Sequence, residues 1–166
     1  RAALWRTNRS GLVILRGLCL ALASITMLMA LRLMPVAETV AIIYIAPVLV
    51  MLAAGTVLKE KVGPLGWISA ALGFAGVLLI ARPGSGLDPW GVVLGLVNAC
   101  LATSYTLLTR VLSRTESTMA LMFHTALVGA AAFIAVVLSL GTGPLPNAFD
   151  AGLMLALGAL ATAGHL

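Results

Sequence analysis

Two unbroken apolar stretches, Thr39 to Leu58 and Val62 to Ala81, flank Lys59-Glu60-Lys61, and each is about twenty residues long. An α-helix rises ~1.5 Å per residue, so roughly 20 such residues are needed to cross a hydrocarbon core of about 30 Å. Similar stretches follow at Pro89 to Thr109 and within Ser117 to Phe149. One run of this kind fits the core of a soluble protein; four in series require lipid. Composition agrees, with 61% hydrophobic and only 9% charged residues, against about 25% charged in soluble domains. The expected fold class is an all-α polytopic membrane protein.

Several function classes fall away at once. A pI near 10 raises the question of nucleic acid, but there is no dense basic patch and no aromatic interleaving, so no nucleic-acid partner is expected. Cys19 and Cys100 stand singly inside apolar runs, without metal or redox spacing. The two histidines, His124 and His165, are about forty residues apart and have no carboxylate companions. No metal site, no cofactor and no enzyme activity are expected, and no nucleotide-binding loop is present.

Helix breakers divide the chain into six spans. The first runs from about Ser10 to Leu33, interrupted by Arg16, and Pro35 opens the second, which reaches Leu58. Proline is tolerated at a first helical position because that N–H has no partner within the helix. Gly63-Pro64 opens the third span, which closes at Arg82-Pro83-Gly84. Asp88-Pro89 opens the fourth, where Asp88 can cap free N–H groups. That span ends near Arg110; the fifth starts near Ser117 and dissolves in residues 141–147; the sixth starts near Asp150. Connections are short, so consecutive spans are expected as antiparallel neighbours. Because the chain begins with Arg1 and its last apolar run stops at Leu166, it reads as a fragment.

Charge orients the spans. Arg1, Arg6, Arg9, Arg16, Lys59, Lys61, Arg110 and Arg114 fall on one side, and only Arg32 and Arg82 on the other. An eight-to-two split places the first side in the cytoplasm by the positive-inside rule, with the first span running outward. A weaker regularity links Gly11-Leu-Val-Ile-Leu-Arg-Gly17 to Gly152-Leu-Met-Leu-Ala-Leu-Gly158, offset by 141 residues, which hold five spans. A repeat with an odd number of spans reverses its orientation, as in transporters with inverted repeats.

Helix faces single out candidate residues. In the fourth span Gly91, Gly95, Asn98, Ala102, Tyr105 and Thr109 share one side, opposite Val93, Leu96, Val97 and Leu101. The small, polar side must meet protein or a cavity. The first span repeats the pattern with Arg16, Cys19, Ala23, Thr26 and Ala30. In the isolated chain these two faces are expected to be left against lipid. Asn98 lies near mid-depth, a place for either an interhelical bond or a cavity wall. Glu38 is either a carboxylate held at a helix N-terminus or a substrate or proton site. Tyr44 reads as a core aromatic or as cavity lining. His124 is expected to bond a neighbouring helix, and His165 is open between packing and lining. Pro47 must bend the second helix.

Ala30-Leu-Arg-Leu-Met-Pro-Val-Ala-Glu38, Ile45-Ala-Pro47-Val, Leu58-Lys-Glu60 and Gly73-Phe-Ala-Gly76-Val-Leu-Leu-Ile80 together resemble the EamA family of the drug/metabolite transporter superfamily. One departure is Lys59, where glycine commonly precedes the glutamate. The resemblance implies ten helices in two inverted five-helix repeats. Residues 1–82 would be the latter part of the first repeat (helices three to five), and 83–166 the start of the second (helices six, seven and a truncated eight). It further implies a secondary transporter or exporter of a small metabolite, working by alternating access through a central cavity in the cell (inner) membrane. Tyr44, Asn98 and His165 would line that cavity and Glu38 would guard its outer mouth, while Glu60 braces the cytoplasmic end of its helix. The partners expected are the metabolite and the lipid bilayer, with a homodimer left open. The alternatives are a non-transporting membrane subunit or scaffold and, behind it, an integral-membrane enzyme.

Overall fold

The computed structural model describes residues 9–57, 63–81, 87–140 and 147–163. They form α1 (Ser10–Leu33), α2 (Val36–Ile43), α3 (Ala46–Val57), α4 (Pro64–Ala81), α5 (Pro89–Leu112), α6 (Thr118–Leu140) and α7 (Ala148–Ala163). Each expected span has its helix, and the second is split in two. The stretches Ser10–Leu33, Val36–Thr56, Pro89–Leu112 and Thr118–Ser139 are long and apolar enough to cross a membrane. The chain is an all-α polytopic membrane protein.

The breakers act as their chemistry requires. Met34 precedes Pro35 and is held extended (φ −135°, ψ 153°), because the proline ring disfavours the helical region for the residue before it. Pro35 itself stays outside α2 as its N-cap rather than entering the first turn. Asp88 caps α5 by accepting a hydrogen bond from the Gly91 N–H at 2.9 Å, with Pro89 at the first helical position. Ser117 Oγ accepts from the Ala120 N–H at 3.2 Å, and Asn147 Oδ1 from the Asp150 N–H at 2.8 Å, so that α6 and α7 are each capped by a side chain.

The regular helix of the second span is interrupted for two residues, Tyr44 and Ile45. Pro47 has no N–H to give to the Ile43 carbonyl, and its ring crowds that oxygen; α2 accordingly ends at Ile43. Tighter turns bridge the gap, with Ile45 N–H donating to Ile42 O (3.1 Å) and Val48 N–H to Ile45 O (3.0 Å). Tyr44 N–H still donates to Val40 O (3.0 Å) and Leu49 N–H to Ile45 O (3.1 Å), so the interruption is a tight turn at Tyr44 and Ile45, midway along an apolar span.

The chain divides into two compact units, one reaching Phe133 and one starting at Ile134, with the boundary inside α6. In the first unit the closest packing is between α1 and α5, not between neighbours in sequence; α1 touches α2 only lightly. Of the consecutive spans expected as neighbours, the first touches the second and the second packs on the third. Short loops bring consecutive helices near one another, but small residues decide which backbones can approach closely, and those lie on α1 and α5. Helix α5 also contacts α2 and α3, and α4 packs on α2 and α3. Apolar side chains cover the outer surfaces, among them Leu28, Leu65, Leu72 and Leu79. The second unit comprises the end of α6 and α7, with Leu138, Phe149 and Met154 exposed. The repeat boundary expected at 82/83 lies outside the described residues.

Candidate functional site

The seam between α1 and α5 is antiparallel and is built from the two faces the sequence marks as small and polar. Near the C-terminal end of α1, Gly91 is so close to Met34 that a Cβ there would lie 2.5 Å from Met34 Cγ. One turn further along α5, Gly95 meets Ile42 of α2, with a virtual Cβ 2.9 Å from Ile42 Cγ2. Asn98 follows, buried, its Nδ2 donating to Ala23 O and to Thr26 Oγ1 (3.4 Å) on α1. Its amide thus ties two helices together at mid-depth. Thr103 Oγ1 donates to Ala99 O in its own helix (2.7 Å) and reaches Ala46 O at the start of α3 (3.4 Å). Helix α5 therefore stands between α1 on one side and the interrupted span on another.

Further along the seam sits Arg16, only 5% exposed. Its Nε donates to Thr109 Oγ1 (2.7 Å) and its Nη2 to the Tyr105 hydroxyl (2.8 Å), both on α5. Its Nη1 donates to Leu121 O (3.2 Å) and to Thr125 Oγ1, both on α6. The guanidinium carbon also lies 4.5 Å from the Tyr105 ring centroid, a cation–π arrangement. Close approach makes this possible: Gly17 packs so tightly on α6 that a Cβ would lie 2.8 Å from Val128 Cβ. The expected exposure of these faces to lipid is therefore corrected, since α1, α5 and α6 bury them against one another. Sequence reading counted Arg16 as a topology charge and missed it as the centre of a network. The available signal was Tyr105 and Thr109, one turn apart on the polar face of α5.

The remaining candidates are dispersed. Tyr44 caps α2 at the break and is 61% exposed. Pro47 is exposed in the first turn of α3. Glu38 lies in the first turn of α2, partly buried, and its buried Oε2 has no hydrogen-bond partner among the described residues. His124 bonds within its own helix, Nδ1–H donating to Ala120 O at 2.8 Å, and its ring meets Phe123 edge-on. Among the described residues the expected bond to a neighbouring helix is not seen, and Nδ1 takes the carbonyl one turn back. His165 and Glu60 lie outside the described residues. Cys19 is buried in the seam and Cys100 exposed on the opposite side of α5, where an open apolar groove runs past Val93, Val97 and Leu101. Among the described residues no three His, Cys, Asp or Glu side chains gather to hold a metal.

Comparison with known proteins bears most on the part of the chain that carries α1 to α4. The profile of the EamA-like transporter family matches residues 3–82. Over those residues the chain is similar to this family. A riboflavin transporter of Rhizobium johnstonii is 32% identical over 82 residues, covering 49% of this chain and 27% of the relative. A riboflavin transporter of Brucella anthropi is 28% identical over 158 residues, covering 93% of this chain and 56% of the relative. The chain thus spans little more than half the length of these curated relatives at most. No solved structure matches it. Helix α1 and the interrupted second span fall inside the matched region, while α5 and α6 on the other side of the seam lie beyond it.

Proposed function

We propose that this chain is part of a secondary transporter that moves a small metabolite across the cell (inner) membrane by alternating access. The observation that carries the reading is the interruption of the second span at Tyr44 and Ile45. Non-helical backbone at membrane depth is tolerated only where protein buries it or where it lines a water-filled cavity. Interrupted helices at the midplane are also where transporters of the inverted-repeat kind hold their substrates. Tyr44, exposed at this point, gives the cavity a hydroxyl and an aromatic ring.

In this reading the complete protein has ten helices in two inverted repeats, with residues 1–82 in the first and 83–166 in the second. The charge split of eight to two puts the start of α1 in the cytoplasm. Tyr44, Glu38, His165 and Asn98 belong to the cavity wall, Asn98 by joining α1 to α5 at mid-depth. Pro47 fixes the break, and Glu60 braces the cytoplasmic end of its helix. The names of the two relatives make riboflavin the first substrate to test.

The test is flux in proteoliposomes carrying the complete protein, with riboflavin offered beside amino acids and nucleosides. Saturable flux without ATP is expected. Asn98→Leu removes the amide that bonds Ala23 and Thr26, and should cut flux at least tenfold with insertion intact. Val97→Leu, on the exposed side, should change little. Folded protein with no flux for any compound would make the chain a scaffold, and full flux in Asn98→Leu would confine Asn98 to packing.

A further inference from the structure

Toward the N-terminal end of α1, the junction of α1, α5 and α6 is closed in three layers. The outermost is the Arg9 N–H donating to Glu116 Oε1 at 3.0 Å. Next comes an apolar cluster of Val13, Leu112 and Leu121, almost fully buried, with Leu12 against it. Arg16 forms the third, and buried Cys19 lies one turn deeper on α1. This closes one end of the seam to water.

The bonding of Arg16 is unusual for a permanent strut. Its acceptors Thr109 Oγ1, Tyr105 Oη, Leu121 O and Thr125 Oγ1 are all neutral oxygens. Separating a buried ion pair strands a charge on each side, which locks such a pair in place. Separation from neutral acceptors strands only one cation, and water entering the opening solvates it. Hydroxyls left behind on α5 and α6 retain partners within their own helices, since Thr109 Oγ1 also donates to Tyr105 O (2.7 Å) and Thr125 Oγ1 to Leu121 O (2.7 Å). The contact is strong when dry and inexpensive to break when wet.

We propose that Arg16 is a latch: its guanidinium holds α1 to α5 and α6, and the Ser10 side of the seam opens only when Arg16 releases Tyr105, Thr109 and Thr125. The latch rests on the alternating-access reading, in which α1 belongs to one repeat and α5 and α6 to the other. Arg16 is then a positioning residue that sets how often this side opens, without touching the substrate.

Cys19 is a built-in reporter, because opening the three layers exposes it to water. The experiment uses the complete protein with Cys19 as its sole thiol (Cys100→Ala included), in sealed vesicles of both orientations, without substrate. A membrane-impermeant maleimide is applied from each side. Arg16→Gln is expected to speed labelling at least tenfold from the Ser10 side alone. Arg16→Lys keeps the charge but loses the planar fork, and should fall between. Tyr105→Phe keeps the ring and removes one acceptor, with a rise of about threefold expected from the same single bond lost. If Arg16→Gln does not fold, Tyr105→Phe and Thr109→Val carry the test. Unchanged labelling in folded variants, or an equal rise from both sides, overturns the latch and leaves Arg16 as packing. Flux is measured separately: altered one-sided labelling without any wild-type flux would refute the transport reading, whereas flux with unaltered labelling would refute the latch alone.

Discussion

Replacing Gly17 with alanine tests how closely α1 approaches α6. A Cβ at Gly17 would lie 2.8 Å from Val128 Cβ, 3.0 Å from Cγ1 and 3.3 Å from Cγ2. Carbon atoms sit best at about 3.5–4.0 Å, so the helices must separate by roughly 0.7 Å or more at this level. Val128 cannot yield by rotation, because the nearest atom is its own Cβ. Overpacking of this kind costs about 1–3 kcal/mol. The gain in helix propensity from glycine to alanine is about 1 kcal/mol and is cancelled by a control in the adjoining helix. Gly129, one residue past Val128, has nothing within 4 Å of its virtual Cβ. Reversible unfolding in mixed micelles should therefore rank Gly17→Ala about 1–3 kcal/mol less stable than Gly129→Ala. In a Val128→Gly background the penalty of Gly17→Ala should vanish, while in Val128→Ala it should largely persist, since alanine keeps the offending Cβ. Equal stability of Gly17→Ala and Gly129→Ala would refute the contact, and equal rescue by both Val128 variants would refute the Cβ argument.

Two further outcomes follow from the ends of the helices. Cysteine introduced in place of Lys61 or Arg114 should react only with reagents that reach the cytoplasm, and cysteine in place of Gly86 from outside; external labelling of Lys61→Cys in intact cells would invert the topology. Asp88→Ala removes the acceptor for the Gly91 N–H and should destabilise the protein by about 0.5–2 kcal/mol in the same unfolding assay, whereas Asp88→Asn keeps an accepting oxygen at the N-cap and should lose little.

The spans were legible because proline, glycine and charge punctuate an otherwise apolar chain. Pro35, Pro47, Pro64 and Pro89 each stand at or beside a helix boundary. The polar faces of α1 and α5 were legible too, from the spacing of Arg16, Cys19, Ala23 and Thr26 and of Gly91, Gly95, Asn98 and Tyr105. Their pairing was not. Periodicity shows that a face needs a partner but carries no information on which helix supplies it. The same limit hid the Arg16 network, whose acceptors come from two helices far along the chain. His124 differs in another way: its Nδ1–H meets the carbonyl of its own preceding turn, a local partner that periodicity does not announce. Glu60 and His165 lie outside the described residues, so the sites expected there remain proposals.

The distances along the chain within the Arg16 network also bear on how the protein is made. Thr109 is 93 residues downstream of Arg16, and Thr125 is 109 downstream. At roughly 5–20 residues per second during synthesis, α1 leaves the ribosome about 5–20 s before α5 offers its hydroxyls. For that interval Arg16 must snorkel, or remain beside the insertion machinery, at a cost of about 2–3 kcal/mol if it is carried to the centre of the bilayer. The leucines and isoleucine around it, Leu12, Ile14, Leu15 and Leu18, supply the apolar free energy that keeps the segment inserted meanwhile. Biogenesis thus depends on an early helix waiting for a late one, and an arrest of translation between residues 33 and 89 would leave a nascent chain in which α1 carries an Arg16 without its acceptors.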